Sequence, residues 1–173
     1  MSFHSIPEFA FPMIVDRDPD TIKALENALT THGFFTITDH GIDNDLLSSS
    51  YSMSKKFFEL TEATKNIYAH PEMGGARGYT PFGKETALGE TTPDMKEFWH
   101  HGPVIDESFD TRIASNINVA ELPEFNSQFD GLFDDLNLLG MKVLSAIAVI
   151  LHKEPNFFDD WVSKGNSLLR LLH

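Results

Sequence analysis

The sequence predicts an α+β fold, and three of its features carry that reading. A helical stripe of apolar residues runs from Glu121 to Leu151, short β-rich runs alternate with capped helices up to about Tyr68, and the stretch from Arg77 to Pro103 reads as a ribbon. In that ribbon Gly78, Pro81 and Gly83 disfavour a continuous helix, while Tyr79, Phe82, Phe98 and Trp99 supply apolar area that has to be buried. With 173 residues and 41% apolar content, the chain fits one domain over 1–173, or one domain and part of another, with enough apolar surface for a core.

Taken in order, Ile6 to Val15 carries Pro7 and Pro12 about an apolar run, which suits a short edge strand because proline donates no ladder hydrogen bond. Asp18 caps a helix with Pro19 at its first position, Ile22, Leu25, Ala28 and Leu29 as its stripe, and Gly33 as its stop. Phe34 to Thr38 reads as a strand closing on the turn Asp39-His40-Gly41. Asp43 caps a second helix with Leu47, Tyr51 and Phe58 along one face and Leu46 and Phe57 beside them; Thr61 starts a third, which His70-Pro71 stops. Pro93-Asp94 signals a turn, and Lys96 to His100 a short strand with mixed faces. Val104 to Ala120, with Ser, Asn and Asp between its apolar residues, reads as loop.

From Glu121 onward Phe125, Phe129, Leu132, Leu136, Leu139, Val143, Ile147 and Ile150 recur every three or four residues, which predicts a long core helix. Gly131 and Gly140 each weaken it by about 1 kcal/mol of propensity and are where it is expected to bend or meet a close neighbour. Pro155 ends it, Phe157 to Val162 forms a short apolar turn or helix, and Ser167 to His173 reads as a strand. A terminal apolar strand with no closing turn needs neighbours on its edges, so the chain is expected to be the first part of something longer.

Charge and composition exclude several roles. Thirteen basic residues against 26 acidic ones give a formal charge of −13, which repels phosphate backbones and anionic lipid, so no nucleic-acid or membrane partner is expected. Without cysteine there is no disulfide, thiolate metal site or cysteine nucleophile, which suits a reducing cytoplasm. The N-terminus lacks a basic segment followed by an apolar core, and no window approaches a membrane span.

Metal chemistry would have to use histidines and carboxylates, and no His-x-Asp occurs. Of the two His-x-Glu triplets, His70-Pro71-Glu72 follows a helix and His152-Lys153-Glu154 sits at a helix end, without a distant third histidine, so neither predicts a metal site. His100 and His101 face opposite ways in a strand, one packed or hydrogen-bonded and the other solvated; His40 caps its turn. Arg77, ahead of a Gly-Tyr turn, can aim its fork at a carboxylate, either in a surface or structural pair with an internal Asp or Glu or on a substrate. Asp94, Lys96 and Glu97 are explained by turn formation and local ion pairing. Gly74-Gly75-Ala76-Arg77-Gly78 lacks the Lys-Ser/Thr of a phosphate loop, and no Gly-x-Ser-x-Gly is present. No catalytic residue and no metal ligand is therefore assigned.

Several blocks, in order, resemble the N-terminal region of the isopenicillin N synthase-like iron(II)/2-oxoglutarate-dependent oxygenases. They are Ile6-Pro7, His32-Gly33-Phe34-Phe35 with Asp39-His40-Gly41-Ile42, Phe57-Phe58-Glu59-Leu60 with Lys65 and Tyr68, Gly78-Tyr79-Thr80-Pro81-Phe82-Gly83, Pro93-Asp94-Met95-Lys96-Glu97-Phe98-Trp99, and Leu169-Arg170-Leu171-Leu172-His173. The resemblance implies a double-stranded β-helix (jelly-roll) oxygenase of which this chain is the helical and β N-terminal portion, its core incomplete here. It implies that iron(II), held by a His-x-Asp and a distant His, and 2-oxoglutarate bind in a C-terminal catalytic half, and that neither binds this chain alone. It also implies a small-molecule substrate, with Arg77 and Arg170 as substrate-binding candidates, and a long helix packed outside the core sheet. The chain is then inactive by itself, its parent oxidising an unknown small molecule by hydroxylation, desaturation or cyclisation. The competing readings are a complete, non-catalytic partner-binding or structural module derived from that family, and a relative that dispenses with 2-oxoglutarate.

Overall fold

The computed structural model describes residues 5–86, 89 and 91–173; the reading of the extreme N-terminus from Met1 to His4, and of the ribbon at Ala87, Leu88 and Glu90, lies outside them. The architecture is α+β, in two compact units: one runs up to Ile42 and resumes over Leu136–Ser163, the other comprises Asp43–Asp135 and Lys164–His173.

In the first unit, β1 (Glu8–Ala10) pairs in parallel with β2 (Thr36–Thr38), Phe9 opposite Ile37. Between them lie α1 (Phe11–Val15) and α2 (Pro19–Thr31). The edge strand expected over Ile6 to Val15 is thus confined to its first half: Pro12 falls in the first turn of α1, where its missing N–H costs nothing, and the chain coils instead of staying extended. Asp18 caps α2 as expected, its Oδ2 accepting from the Thr21 backbone N–H at 2.9 Å, and Gly33 follows the helix at φ +78°. Ile14, Leu25 and Ala146 form the buried centre, flanked by Phe9, Ile22, Leu29, Phe35, Ile37 and Ile150. A short helix, α6 (Asp159–Val162), carries Trp161 on its exposed side.

The second unit holds α3 (Asn44–Phe58), α4 (Glu62–Ile67), a 3-10 turn at Pro71–Met73, and an antiparallel sheet in the order β3 (Gly78–Thr80), β4 (Phe98–His101), β5 (Leu169–Leu172). Helix α5 (Phe125–Ile150) begins four residues later than its stripe suggests, after the turns at Leu122 and Phe125, and runs through Gly131 and Gly140 as one helix; its residues up to Asp135 belong to this unit. Trp99 is wholly buried, its ring 4.9 Å from Phe57 and 4.9 Å from Phe125, with Tyr68, Tyr79 and Phe129 completing an aromatic core.

Two apolar expectations fail here. Tyr51 is 79% exposed, because α3 turns Ser50, Phe57 and Phe58 inward, and Gln128 bridges to the Ser50 hydroxyl at 2.9 Å. Phe82 lies about half exposed, past the end of β3, while its ribbon neighbours Tyr79, Phe98 and Trp99 are buried.

Candidate functional site

The β3-β4-β5 sheet gathers the polar chemistry of the second unit. Strand alternation sets Gly78, His100 and Arg170 side by side on one face, while Tyr79, Trp99 and Leu171 share the other, which packs into the aromatic core. On the first face His100 Nδ1 lies 2.5 Å from the Gly75 carbonyl, which can only accept, so Nδ1 carries the proton; Nε2 is then the acceptor for Arg170 Nε–H at 2.7 Å. Burial pushes the His100 imidazole down, the Gly75 carbonyl opposes that, and the Arg170 and Arg77 cations add to the fall. The Arg170 guanidinium also lies 4.2 Å from the Phe98 ring centroid, a cation–π contact, and its two terminal nitrogens face the Glu85 carboxylate.

At the other end of β4, Glu97 is a carboxylate only 1% exposed. Lys65 Nζ donates to both its oxygens, at 2.6 and 2.9 Å, and to the Phe58 carbonyl at 3.1 Å. The Tyr79 hydroxyl donates to Oε2, His173 Nδ1 stands 2.9 Å from Oε1, and the backbones of Glu97 and His173 exchange both hydrogen bonds. The His173 ring stacks on Phe58 with centroids 5.0 Å apart. Burial raises the Glu97 carboxyl, yet the hydrogen bonds from Lys65, Tyr79 and His173 outweigh it and hold the group below its ordinary value; the same site pushes the Tyr79 phenol above its ordinary value. One buried charge pair therefore ties α4, β3 and the ends of β4 and β5 together.

Arg77 is neither on the surface nor paired with a carboxylate. It is 1% exposed, Nη1 donates to the Ala76 carbonyl at 2.6 Å, and Nε and Nη2 have no partner among the described residues. Its guanidinium lies against Gly102, where an added Cβ would collide with Cζ, Nη2 and Nε, which makes glycine the residue that admits it. Burial pushes the guanidinium down. Beside it His101, fully buried, has Nε2 at 2.7 Å from Asp130 Oδ1, and Asn116 braces Gly102 through both its N–H and C=O. The expectation that one of the paired histidines is solvated is therefore wrong: the two do face opposite ways, but both are buried, since the sheet is covered on both faces at this level.

Arg77 and Arg170 share no contact among the described residues; both act electrostatically on His100. His40 caps its turn as expected, Nδ1 accepting from the Ile42 N–H at 3.1 Å. His70 pairs with its own triplet partner Glu72 at 2.8 Å, and His152 sits at φ +56° at the end of α5. Among the described residues no three His, Asp or Glu side chains converge on a point that could hold a metal ion. Lys96 makes the expected local pair with Asp94 at 2.7 Å. Glu97 does not join it: its partner Lys65 lies 32 residues away, and the only sequence signal for that burial was a carboxylate set directly before Phe98-Trp99.

Comparison with known proteins agrees with this architecture. Residues 6–121 match the family described as non-haem dioxygenase in morphine synthesis N-terminal. A 2-oxoglutarate-dependent dioxygenase of Didymella fabae is 29% identical over 88% of this chain and 49% of its own length; the proline hydroxylase buaE of Petromyces alliaceus is 29% identical over 91% and 50%. The chain thus spans about half the length of the curated relatives it matches. Among solved structures, a protein assigned to the 2OG-Fe(II) oxygenase family from Caulobacter crescentus superimposes with a TM-score of 0.84 at 37% identity, covering 97% of this chain and 55% of that one. A full-length Neurospora crassa protein in complex with alpha-KG gives 0.80 at 29%, covering 96% and 53%. The chain belongs to the iron(II)/2-oxoglutarate-dependent oxygenase family and corresponds to its N-terminal region.

Proposed function

We propose that this chain is the N-terminal half of an oxygenase that uses iron(II) and 2-oxoglutarate to hydroxylate, desaturate or cyclise a small molecule, and that it is inactive without a C-terminal catalytic half. Iron would activate dioxygen in that other half; this chain contributes a supporting sheet and one wall of the substrate pocket, with Arg77 and Arg170 as its substrate-binding residues. The observation that carries the reading is the likeness, along nearly the whole chain, to oxygenases about twice its length. Two features of the sheet support the substrate roles: Arg170 is held rigidly with its fork facing a carboxylate, and Arg77 keeps two buried donors that no described residue satisfies.

The test is an anaerobic iron(II) titration of the 173-residue chain beside a chain joined to a family catalytic half, each assayed for 2-oxoglutarate-dependent oxygen uptake. Iron binding and turnover in the joined form alone are expected. Tight iron binding by the short chain, or no uptake by the joined one, would overturn the reading, and the latter would favour a non-catalytic binding module.

A further inference from the structure

Arg170 is held on its face of the sheet by more than one contact. Its Nε–H is fixed on His100 Nε2 at 2.7 Å, His100 is itself fixed by the Gly75 carbonyl at 2.5 Å, and the Phe98 ring supports the guanidinium from 4.2 Å. These contacts set the plane and tilt of the fork and turn the Nη1/Nη2 edge outward to Glu85, with 40% of the side chain exposed. That edge meets Glu85 one nitrogen to one oxygen, at 3.4 Å each. The pattern is that of a bidentate arginine–carboxylate pair, but stretched past the roughly 2.7–2.9 Å of a charge-assisted hydrogen bond.

Glu85 has a closer counter-ion. Lys96 Nζ stands 2.6 Å from its Oε2, and the Glu85 carbonyl accepts from the Asp94 N–H at 2.8 Å, closing the loop at its base. The carboxylate can therefore leave Arg170 and remain paired. Glu85 thus stands between two cations, with the flexible lysine at the shorter distance and the fixed fork at the longer one.

We propose that Glu85 is a tethered stand-in for the carboxylate of the molecule to be oxidised: Arg170, aimed by His100 and Phe98, takes that carboxylate in a bidentate grip while Glu85 withdraws onto Lys96. The exchange makes Glu85 a specificity device, since a neutral ligand gains nothing to set against the internal carboxylate it would displace. His100 is a positioning residue, acting only through Arg170. The identity of the ligand as substrate rests on the oxygenase reading; the exchange itself does not.

The experiment is a titration of the 173-residue chain with acetate, at ionic strength held constant with chloride, following the Arg170 side-chain 15N resonances together with the backbone amides of Phe98–His101 and Leu169–Leu172, which persist in every variant. Acetate is expected to shift them, E85Q to tighten the apparent affinity about threefold, the size of one exposed competing ion pair, and R170Q to abolish the response. H100Q should weaken binding and broaden the Arg170 resonances while the rest of the spectrum stays in place. An unchanged affinity in E85Q, no response of Arg170, or a response that survives R170Q and vanishes in K96Q would overturn the proposal. In a parallel arm, 2-oxoglutarate should bind within a few-fold of acetate; a preference above tenfold would give the fork to the cosubstrate and overturn its assignment to the substrate. No readout needs iron or turnover, so failure of oxygen uptake in the joined chain would remove the oxygenase reading and leave the exchange standing.

Discussion

Glu97 is the residue whose replacement should matter most to the second unit, because its charge is buried beside a single full counter-charge. E97Q keeps the shape but leaves the Lys65 ammonium, itself buried, facing a neutral amide; loss of about 3–5 kcal/mol of stability is expected, read as a fall in the urea midpoint. K65M should cost a similar amount, and the double variant less than the sum, since each single change leaves the other charge stranded. The pH dependence follows from the same groups. Glu97 has a lowered folded-state pKa, so its contribution is complete above the unfolded carboxyl range and is lost as pH falls through the folded value. His100 and His101 are also lowered, by burial, so the unfolded chain takes up their protons first as pH falls below about 6.5 and the folded state loses ground from there. Stability should therefore rise with pH from about 4 to about 7 in thermal melts, with the lower part of that slope reduced in E97Q.

At the scale of the element, the short strand β3 starts where only glycine fits. Gly78 has φ +80°, and a Cβ there would lie 2.5 Å from the Tyr68 carbonyl oxygen and 2.7 Å from Ile117 Cδ1. That same carbonyl accepts from the Tyr79 N–H at 3.0 Å, so α4 and β3 are joined at the point of closest approach. G78A is expected to cost about 2 kcal/mol or more and to speed amide exchange at Tyr79, while G89A, at a positive-φ site with open space, should cost less. Backbone fit, not side-chain chemistry, fixes this junction.

For the molecule as a whole, the exposed free edge matters most. β5 is hydrogen-bonded to β4 on one side, and among the described residues no strand pairs its other edge, while Leu172 and Leu168, just before the strand, are exposed. An unpaired apolar edge invites another chain, so the 173-residue protein alone should self-associate with concentration in sedimentation velocity, in spite of a charge of −13. A single monomer species up to high concentration would contradict this. Among the described residues no helix is long and apolar enough to cross a membrane.

Local chemistry made the capped helices legible in the sequence: Asp18, Asp43 and Thr61 each accept a hydrogen bond from the first turn they precede, because a cap needs only residues a few positions apart. Strand existence at Thr36–Thr38, Phe98–His101 and Leu169–Leu172 was legible for a similar reason, since β-rich runs between turn residues have few alternatives. The ordered blocks from Ile6 to His173 were enough to reach the family. What the sequence could not contain was which distant groups meet. Tyr51 looks like a core residue until α3 is rotated by its real neighbours; Arg77 looks like a surface fork until Gly102 takes it in; and Lys65, Tyr79, Glu97 and His173 become one network only when three strands and a helix close on a single carboxylate. The sequence by itself determined the elements and the kinship, which depend on nearby residues and on order along the chain. Only the tertiary structure decided the charge pairs, since burial is what turns a marginal surface contact into one that must be satisfied.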